Sequence, residues 1–336
     1  MNPARRWVEI HLPAALDRDP EPEELDWVGI SLAAPTILEW GTDEQKARFL
    51  PGIVTGRTGW CQLFSEPGAG SDLAGLATRA LRDGDGWIVN GQKVWTSLAD
   101  TSDYGLLLAR TDPEQPKHRG ISYFIVDLHS PGVEVRPLRQ MTGEVRFNEV
   151  FLSDAVIPDD MRLGPVNDGW RVSISTLASE RAHLSARRRG DDTGQTAPLI
   201  AAARITGAWN DPHWRNRLMD LYARERALEM TNLRADAGRA AGQSTGAEGS
   251  VGKLLRSTLS QRIALAGIDL LGPAGTAWID GDKNVALAVR EFLYSPAHTI
   301  AGGTSQIQRN IIGERVLGLP REPGSDKDLP WKDIPR

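Results

Sequence analysis

The chain has 336 residues, enough for two or three structural domains, with 40% hydrophobic and 25% charged residues and a net charge of -5. This balance lacks the basic surplus that nucleic-acid binding draws on, and no apolar run approaches the roughly 20 residues of a membrane span. A single cysteine, Cys61, excludes an internal disulfide framework and fits a reducing compartment; the opening MNPARRWVEIHLP has no apolar secretory core, so a cytoplasmic protein is expected.

Residues 1–58 read as a short helical region. An acidic stretch (DRDPEPEELD) is followed by an apolar run from Trp27 to Leu38, then by a predicted helix from Asp43 to Leu50. Thr42 is its N-cap, Gln45 stands at the capping-box position, and Pro51 is expected to end it. Residues 59–160 change texture: turn signals separate short runs rich in Val, Ile, Phe and Tyr, the pattern of a β domain. The clearest expected hairpin runs Trp87 to Val89, turns at Asn90-Gly91 and returns over Gln92 to Trp95. Further strands are predicted at Tyr104 to Ala109, Ile121 to Leu128, Val133 to Pro137 and Val145 to Leu152, enough for a small barrel or sandwich.

Over residues 161–320 the helical period takes over. Trp170 to Arg188, Pro198 to Ala208, Pro212 to Ala241, Ala247 to Leu271, Gly281 to Leu293 and Thr304 to Leu317 are the predicted helices, a bundle-type domain. Residues 187–192 (RRRGDD) read as a solvated loop, and residues 321–336 as a weakly ordered tail. The whole is an α+β multidomain chain: a helical remnant, a central β-barrel or sandwich, and a C-terminal domain of four-helix-bundle type.

Two stretches carry chemistry. In FSEPGAGSD, Phe64 to Asp72, Pro67 stiffens the backbone while Gly68 and Gly70 let it fold tightly, so that successive amides and the Ser65 and Ser71 hydroxyls can line a polar ligand. A plain surface turn is the competing reading. In IAGGTSQIQ, Ile300 to Gln308, Gly302 and Gly303 lead into Thr304 and Ser305 at a helix start whose amides suit an anion or polar cofactor; a well-capped terminal helix reads the same way. Between them lie GQKVWTS, Gly91 to Ser97, and LLGPAG, Leu270 to Gly275.

With these four stretches in this order, the chain resembles the acyl-CoA dehydrogenase family from about Trp27 to Pro320. The resemblance implies FAD as cofactor and an acyl-CoA thioester as substrate, re-oxidation by an electron-transferring flavoprotein, and a homo- or hetero-oligomer. It further implies that Phe64, Ser65, Gly70 and the neighbouring amides meet the flavin, and that Ser71 lies near the cofactor phosphates or the substrate's pantetheine. Trp95 would cover one flavin face, with Thr96 beside it and the Ser97 hydroxyl at N5, the hydride acceptor. Leu271, Gly272, Thr304 and Gln306 would reach the adenosine half, partly across a subunit boundary, so that FAD binding needs at least a dimer.

Dehydrogenation between the α and β carbons of a thioester requires a base for the α proton. In many family members a glutamate supplies it at the position held here by Gly302, and glycine cannot abstract a proton. Other branches carry the base in a Glu-Arg pair on the first helix of the bundle, which matches Glu180-Arg181 in LASERAHL. Glu180 is therefore the expected base, at the edge of an apolar stripe with Leu177 and Leu184, where desolvation raises a carboxyl pKa. Arg181 either orients it or lines the pocket. The Gly302 amide still offers a donor to the thioester oxygen, with Gly303 beside it. Glu66, within the flavin loop, is expected to be structural. His118, His183 and His298 lack partners at ligand spacing, so no metal site is assigned.

One departure bears on function. Only a remnant of the family's N-terminal helical domain precedes the Phe64 loop, for which a wrong start or internal deletion, a subunit completed by a paralogous partner, or a non-catalytic scaffold are the competing explanations.

Overall fold

Thr42 and Gln45 do what their spacing predicts. The Gln45 amide donates to Thr42 Oγ1 (3.2 Å) and the Thr42 amide to Gln45 Oε1 (2.9 Å). In this computed structural model, residues 2–21, 25–186, 194–241, 248–276, 283–321, 326 and 328–335 are described. They divide into two compact units, residues 1–180 with 323–336, and residues 181–322.

The first unit opens with three helices, α1 (Pro3–His11), α2 (Ala34–Trp40) and α3 (Asp43–Val54). Helix α3 runs through Pro51 instead of stopping there. Only one backbone donor is lost at a proline, and beyond it the Thr55 amide and hydroxyl both donate to the Pro51 carbonyl (3.1 and 2.7 Å), closing the last turn. The Gln45 side-chain amide then ties α3 to the carbonyls of Asp160 and Arg162.

Eight strands follow: β1 (Trp60–Leu63), β2 (Arg79–Asp83), β3 (Gly86–Ser97), β4 (Tyr104–Arg110), β5 (Ile121–Asp127), β6 (Val133–Leu138), β7 (Phe147–Pro158) and β8 (Arg162–Leu163). They form one sheet in the order β6-β7-β3-β2-β4-β5-β8, with β1 parallel to β4. Asn90-Gly91 is not a turn: β3 continues through it, and the hairpin lies one step earlier, where Asp83 pairs with Gly86 around Gly84 (φ +52°). Glycine is needed at 91 for close approach, since a Cβ there would stand 2.3 Å from Thr78 Oγ1. The core of this unit packs Trp60, Leu63, Leu106, Leu107, Tyr123 and Phe124, all fully buried.

Helix α4 (Gly169–Ala186) leaves this unit at Glu180. Its first turns are fixed by Thr176, whose hydroxyl meets Thr36 Oγ1 (2.9 Å) and Tyr123 Oη (3.1 Å), and by Ser175, which accepts from Trp40 Nε1 (3.1 Å). The second unit holds α5 (Thr196–Thr206), α6 (Pro212–Ala240), α7 (Glu248–Leu271), α8 (Lys283–Tyr294) and α9 (Ser305–Arg315). Leu221, Leu228, Leu259 and Ala266 form its buried cluster, with Leu199 and Ile263 packed against them. The expected RRRGDD loop lies outside the described residues.

The end of the chain departs from expectation. Asp326 and residues 328–335 return to the first unit and dock on the β4–β5 connection, because Trp331 supplies a large ring and Asp326 a charge that both find partners there.

Candidate active site

Strand β1 runs directly into the Phe64 loop, and β3 pins that loop from below. The Val94 amide donates to the Ser65 carbonyl (2.9 Å), while Lys93 Nζ donates to the Phe64 carbonyl (3.1 Å) and to Glu66 Oε1 (2.8 Å). Glu66 also accepts from the amides of Ala77 (2.6 Å) and Thr78 (2.9 Å). Burial alone would raise the Glu66 carboxyl; the Lys93 ammonium and these hydrogen bonds outweigh it and hold the group below the usual carboxylate range. Glu66 is thus a structural anchor, as expected from its place in the loop.

The loop is less open than its glycines suggest. Glu66 and Ala69 exchange backbone hydrogen bonds (3.0 and 3.1 Å), which removes two amides from ligand duty. The Phe64 side chain is buried edge-on against Tyr123, so only its backbone remains for a ligand. Gly68 and Gly70 face open space, with nothing within 4 Å of a Cβ placed on either. Ser71 is exposed.

On the same unit, β3 distorts where the sequence reads WTS. Its register with β7 shifts between Lys93 and Thr96, and Trp95 sits at φ +61°, a left-handed conformation that costs a tryptophan about 1–2 kcal/mol. Leu98 is left-handed as well, at φ +63°. The bulge turns the Trp95 ring outward, 58% exposed and edge-on to Phe147 at 5.8 Å. Thr96 is fully buried and its Oγ1 has no hydrogen-bond partner; Ser97 is half-buried next to it. Strain of this kind persists where the surroundings over-determine it, and an exposed indole held in this way suits a flat aromatic ligand.

Glu180 lies one turn beyond Thr176 on α4, half-buried, with Leu177 packed on the core of the first unit. Its Oε2 is 3.5 Å from the side-chain amide of Gln62. Gln62 precedes the loop by two residues, on the face of β1 opposite the buried Cys61 and Leu63. A carboxylate is therefore held against the strand that delivers the loop. The side chains of Arg181 and Leu184 lie outside the described residues.

In the second unit, Gly302 and Gly303 are both left-handed (φ +65° and +88°). Their carbonyls are drawn to two buried side chains: Lys253 Nζ donates to the Gly303 carbonyl (2.6 Å), and Gln308 Nε2 to that of Gly302 (2.9 Å). The Thr304 hydroxyl accepts from the Ile307 amide (3.2 Å) and caps α9, and Gln306 is exposed. Leu271 ends α7, and Gly272 turns the chain at φ +57°.

Gln62, Lys93, Lys253 and Gln308 went unassigned in the sequence. Lys93 lies inside GQKVWTS and Gln308 inside IAGGTSQIQ, and a lysine between apolar strand residues is a signal for a buried partner. Gln62 and Lys253 meet their partners across 118 and 50 residues, a pairing no local pattern encodes. Cys61 is fully buried, and burial pushes its thiol up, away from reactivity. Among the described residues, no group of three or more His, Cys, Asp and Glu side chains could hold a metal, and no helix is long and apolar enough to cross a membrane.

Three family models match the chain: the N-terminal domain of acyl-CoA dehydrogenases over residues 25–57, the middle domain over 61–155 and the C-terminal domain over 167–317. The chain is 45% identical to acyl-CoA dehydrogenase FadE34 of Mycobacterium tuberculosis over 290 residues, 86% of this chain and 39% of that protein. It is 42% identical to acyl-CoA dehydrogenase IpdE1 of the same organism over 301 residues, 90% of this chain and 77% of that one. Among solved structures, the ChsE4-ChsE5 complex from Mycobacterium tuberculosis superposes with a TM-score of 0.74 at 33% identity, covering 88% of this chain and 78% of the matched chain.

Proposed function

The chain belongs to the acyl-CoA dehydrogenase family, FAD-dependent oxidoreductases acting on CH-CH bonds, and from that premise we propose that it dehydrogenates an acyl-CoA thioester with Glu180 as the base. The observation that carries this reading is the contact between Glu180 and Gln62. It sets the one carboxylate expected to act beside the strand that leads into the cofactor loop, whereas Gly302 offers no side chain.

The features of the first unit fit FAD. The outward Trp95 ring, the Ser97 hydroxyl and the open backbone at Gly68 and Gly70 supply one apolar face and several polar contacts, whereas the Thr96 hydroxyl is buried away from any ligand. Phe64 and Ser65 would contribute backbone, and Ser71 a hydroxyl. In the second unit, Leu271, Gly272, Thr304 and Gln306 would take the adenosine half, in part from a neighbouring subunit. When bound, FAD supplies the acceptor for the hydride that leaves the β carbon. Glu180 takes the α proton, and the electron pair of the broken α C-H bond becomes the new double bond, so atoms and electrons balance. The Gly302 amide, with Gly303 beside it, would stabilise negative charge on the thioester oxygen, and Arg181 would line the substrate side.

An electron-transferring flavoprotein would re-oxidise the enzyme, and the single uncrosslinked thiol is compatible with the cytoplasm. A second reading, a subunit that works only with a paralogous partner, is favoured by the ChsE4-ChsE5 complex, an assembly of two different chains. Titrating the flavin-loaded protein anaerobically with a panel of acyl-CoAs tests the proposal: the visible flavin band should bleach, and Glu180→Gln should keep the flavin and lose the bleaching. Full bleaching in that variant would remove Glu180 from its role. Bleaching that requires a co-expressed paralogue would favour the second reading.

A further inference from the structure

Residues 328–335, together with Asp326, do more than fill the surface of the β unit. The Trp331 ring lies 4.8 Å from the guanidinium of Arg110, which is itself 2% exposed. Arg110 donates to the carbonyls of Ala74 (2.6 Å) and Lys117 (2.7 Å), so the same side chain grips the turn that ends the Phe64 loop. Trp331 Nε1 donates to the Gly75 carbonyl in that turn (3.3 Å), and its backbone amide donates to Gln115 (2.9 Å). A second link runs through Lys117, whose ammonium pairs with Asp72 of the loop and Asp326 of the tail, both at 3.1 Å. Lys332 adds an ion pair with Glu114 (2.7 Å).

Between the tail and the loop lies a cavity of about 650 Å³, walled on one side by Glu66, Pro67, Gly68 and Ala69 and on the other by Trp331 and Ile334. The loop is thus pinned from β3 at its start, by Lys93 and Val94, and from the tail at its end. The chain leaves this unit within α4 and comes back to it only here.

We propose that the tail is a clasp that holds the Phe64–Gly75 loop in its cofactor-receiving form, with Trp331 and Asp326 as positioning residues for FAD retention. The proposal rests on the reading of this loop as the flavin loop. A loop fixed at both ends has less conformational entropy to lose when it binds, so opening the clasp weakens binding without touching the cofactor's own contacts.

The test uses the full chain stripped of flavin. FAD dissociation constants are measured for the wild-type protein, Trp331→Ala, Trp331→Phe and Asp326→Asn, alongside amide hydrogen exchange of residues 66–76 and thermal melting. Trp331→Ala should weaken FAD binding about tenfold, the loss of one hydrogen bond and one cation–π contact, and should speed exchange in the loop while the β4–β5 peptides stay protected. Trp331→Phe keeps a ring under Arg110 and should recover part of the affinity; Asp326→Asn should cost a few-fold. Unchanged affinity and loop exchange in all three variants would overturn the clasp, as would a lowered melting temperature with unchanged FAD affinity. If Trp331→Ala fails to fold, Asp326→Asn, at the half-buried ion pair, decides on the same two readouts. A wild-type protein that never binds FAD refutes the flavin reading, while faster loop exchange in the variants than in wild type still decides whether the clasp exists.

Discussion

Lys93 and Glu66 meet at 2.8 Å with both side chains buried, the lysine completely. The pair joins the middle of β3 to the loop that β1 delivers, and every acceptor it offers is used: Glu66 takes the amides of Ala77 and Thr78 as well as the ammonium. A buried pair of this sort gains little over apolar residues of equal size, but breaking one half leaves a charge stranded.

Lys93→Met should therefore cost about 3–5 kcal/mol of unfolding free energy by stranding the Glu66 carboxylate. The double variant Lys93→Met/Glu66→Gln should be more stable than Lys93→Met alone, because the neutral amide still accepts a backbone hydrogen bond and carries no charge. Urea titration of the three proteins decides it. A double variant no more stable than Lys93→Met would show that the charge is not what the loop depends on.

The same carboxylate makes a pH prediction. The folded pKa of Glu66 lies below its unfolded value, about 4.3 for a model glutamate, so its stabilisation is complete above that value and lost as the pH falls through the folded pKa. Between neutral pH and about 5, this group contributes no pH dependence. Below about 4, Glu66→Gln should lose stability less steeply than the wild-type protein. Parallel acid-unfolding curves below pH 4 would refute the assignment.

Much of this architecture is legible in the sequence, and the failures have local causes. The apolar runs Tyr104 to Ala109 and Ile121 to Leu128, set between turn signals, mark strands that the structure extends by one residue or trims by one, β4 and β5. The Thr42–Gln45 capping box is a local device and reads correctly. Asn90-Gly91 misleads because the glycine answers a tertiary demand, the approach of Thr78, instead of a turn. Pro51 misleads because a helix tolerates one missing donor when its last turn closes by other bonds. At the site, the motifs announce the loops but not what holds them: Gln62, Lys253 and Trp331 act across long sequence separations.

Trp95 separates stability from binding. Glycine at this position would relieve the left-handed backbone, a gain of about 1 kcal/mol that the freer unfolded chain nearly offsets, and the mostly exposed ring has little buried area to lose. Trp95→Gly should thus leave the flavin-free melting temperature within a few degrees of wild type. FAD affinity should nonetheless fall at least about tenfold if the indole covers the flavin. Unchanged affinity would assign the ring to another partner.

Gln62 gives the sharpest test of the base. Its amide lies 3.5 Å from Glu180 Oε2, a long hydrogen bond, and removing that donor leaves the carboxylate easier to misplace. Gln62→Leu should slow anaerobic flavin bleaching by acyl-CoA a few-fold, as for the loss of one long hydrogen bond of about 0.5–1 kcal/mol, with FAD affinity unchanged. Gln62→Asn, with a shorter side chain, should fall between the two proteins. Stopped-flow bleaching measures the rates. If Glu180→Gln is inactive while Gln62→Leu reproduces the wild-type rate, Glu180 acts without this strand; if Glu180→Gln bleaches normally, the base lies elsewhere and the Gln62 contact is only structural.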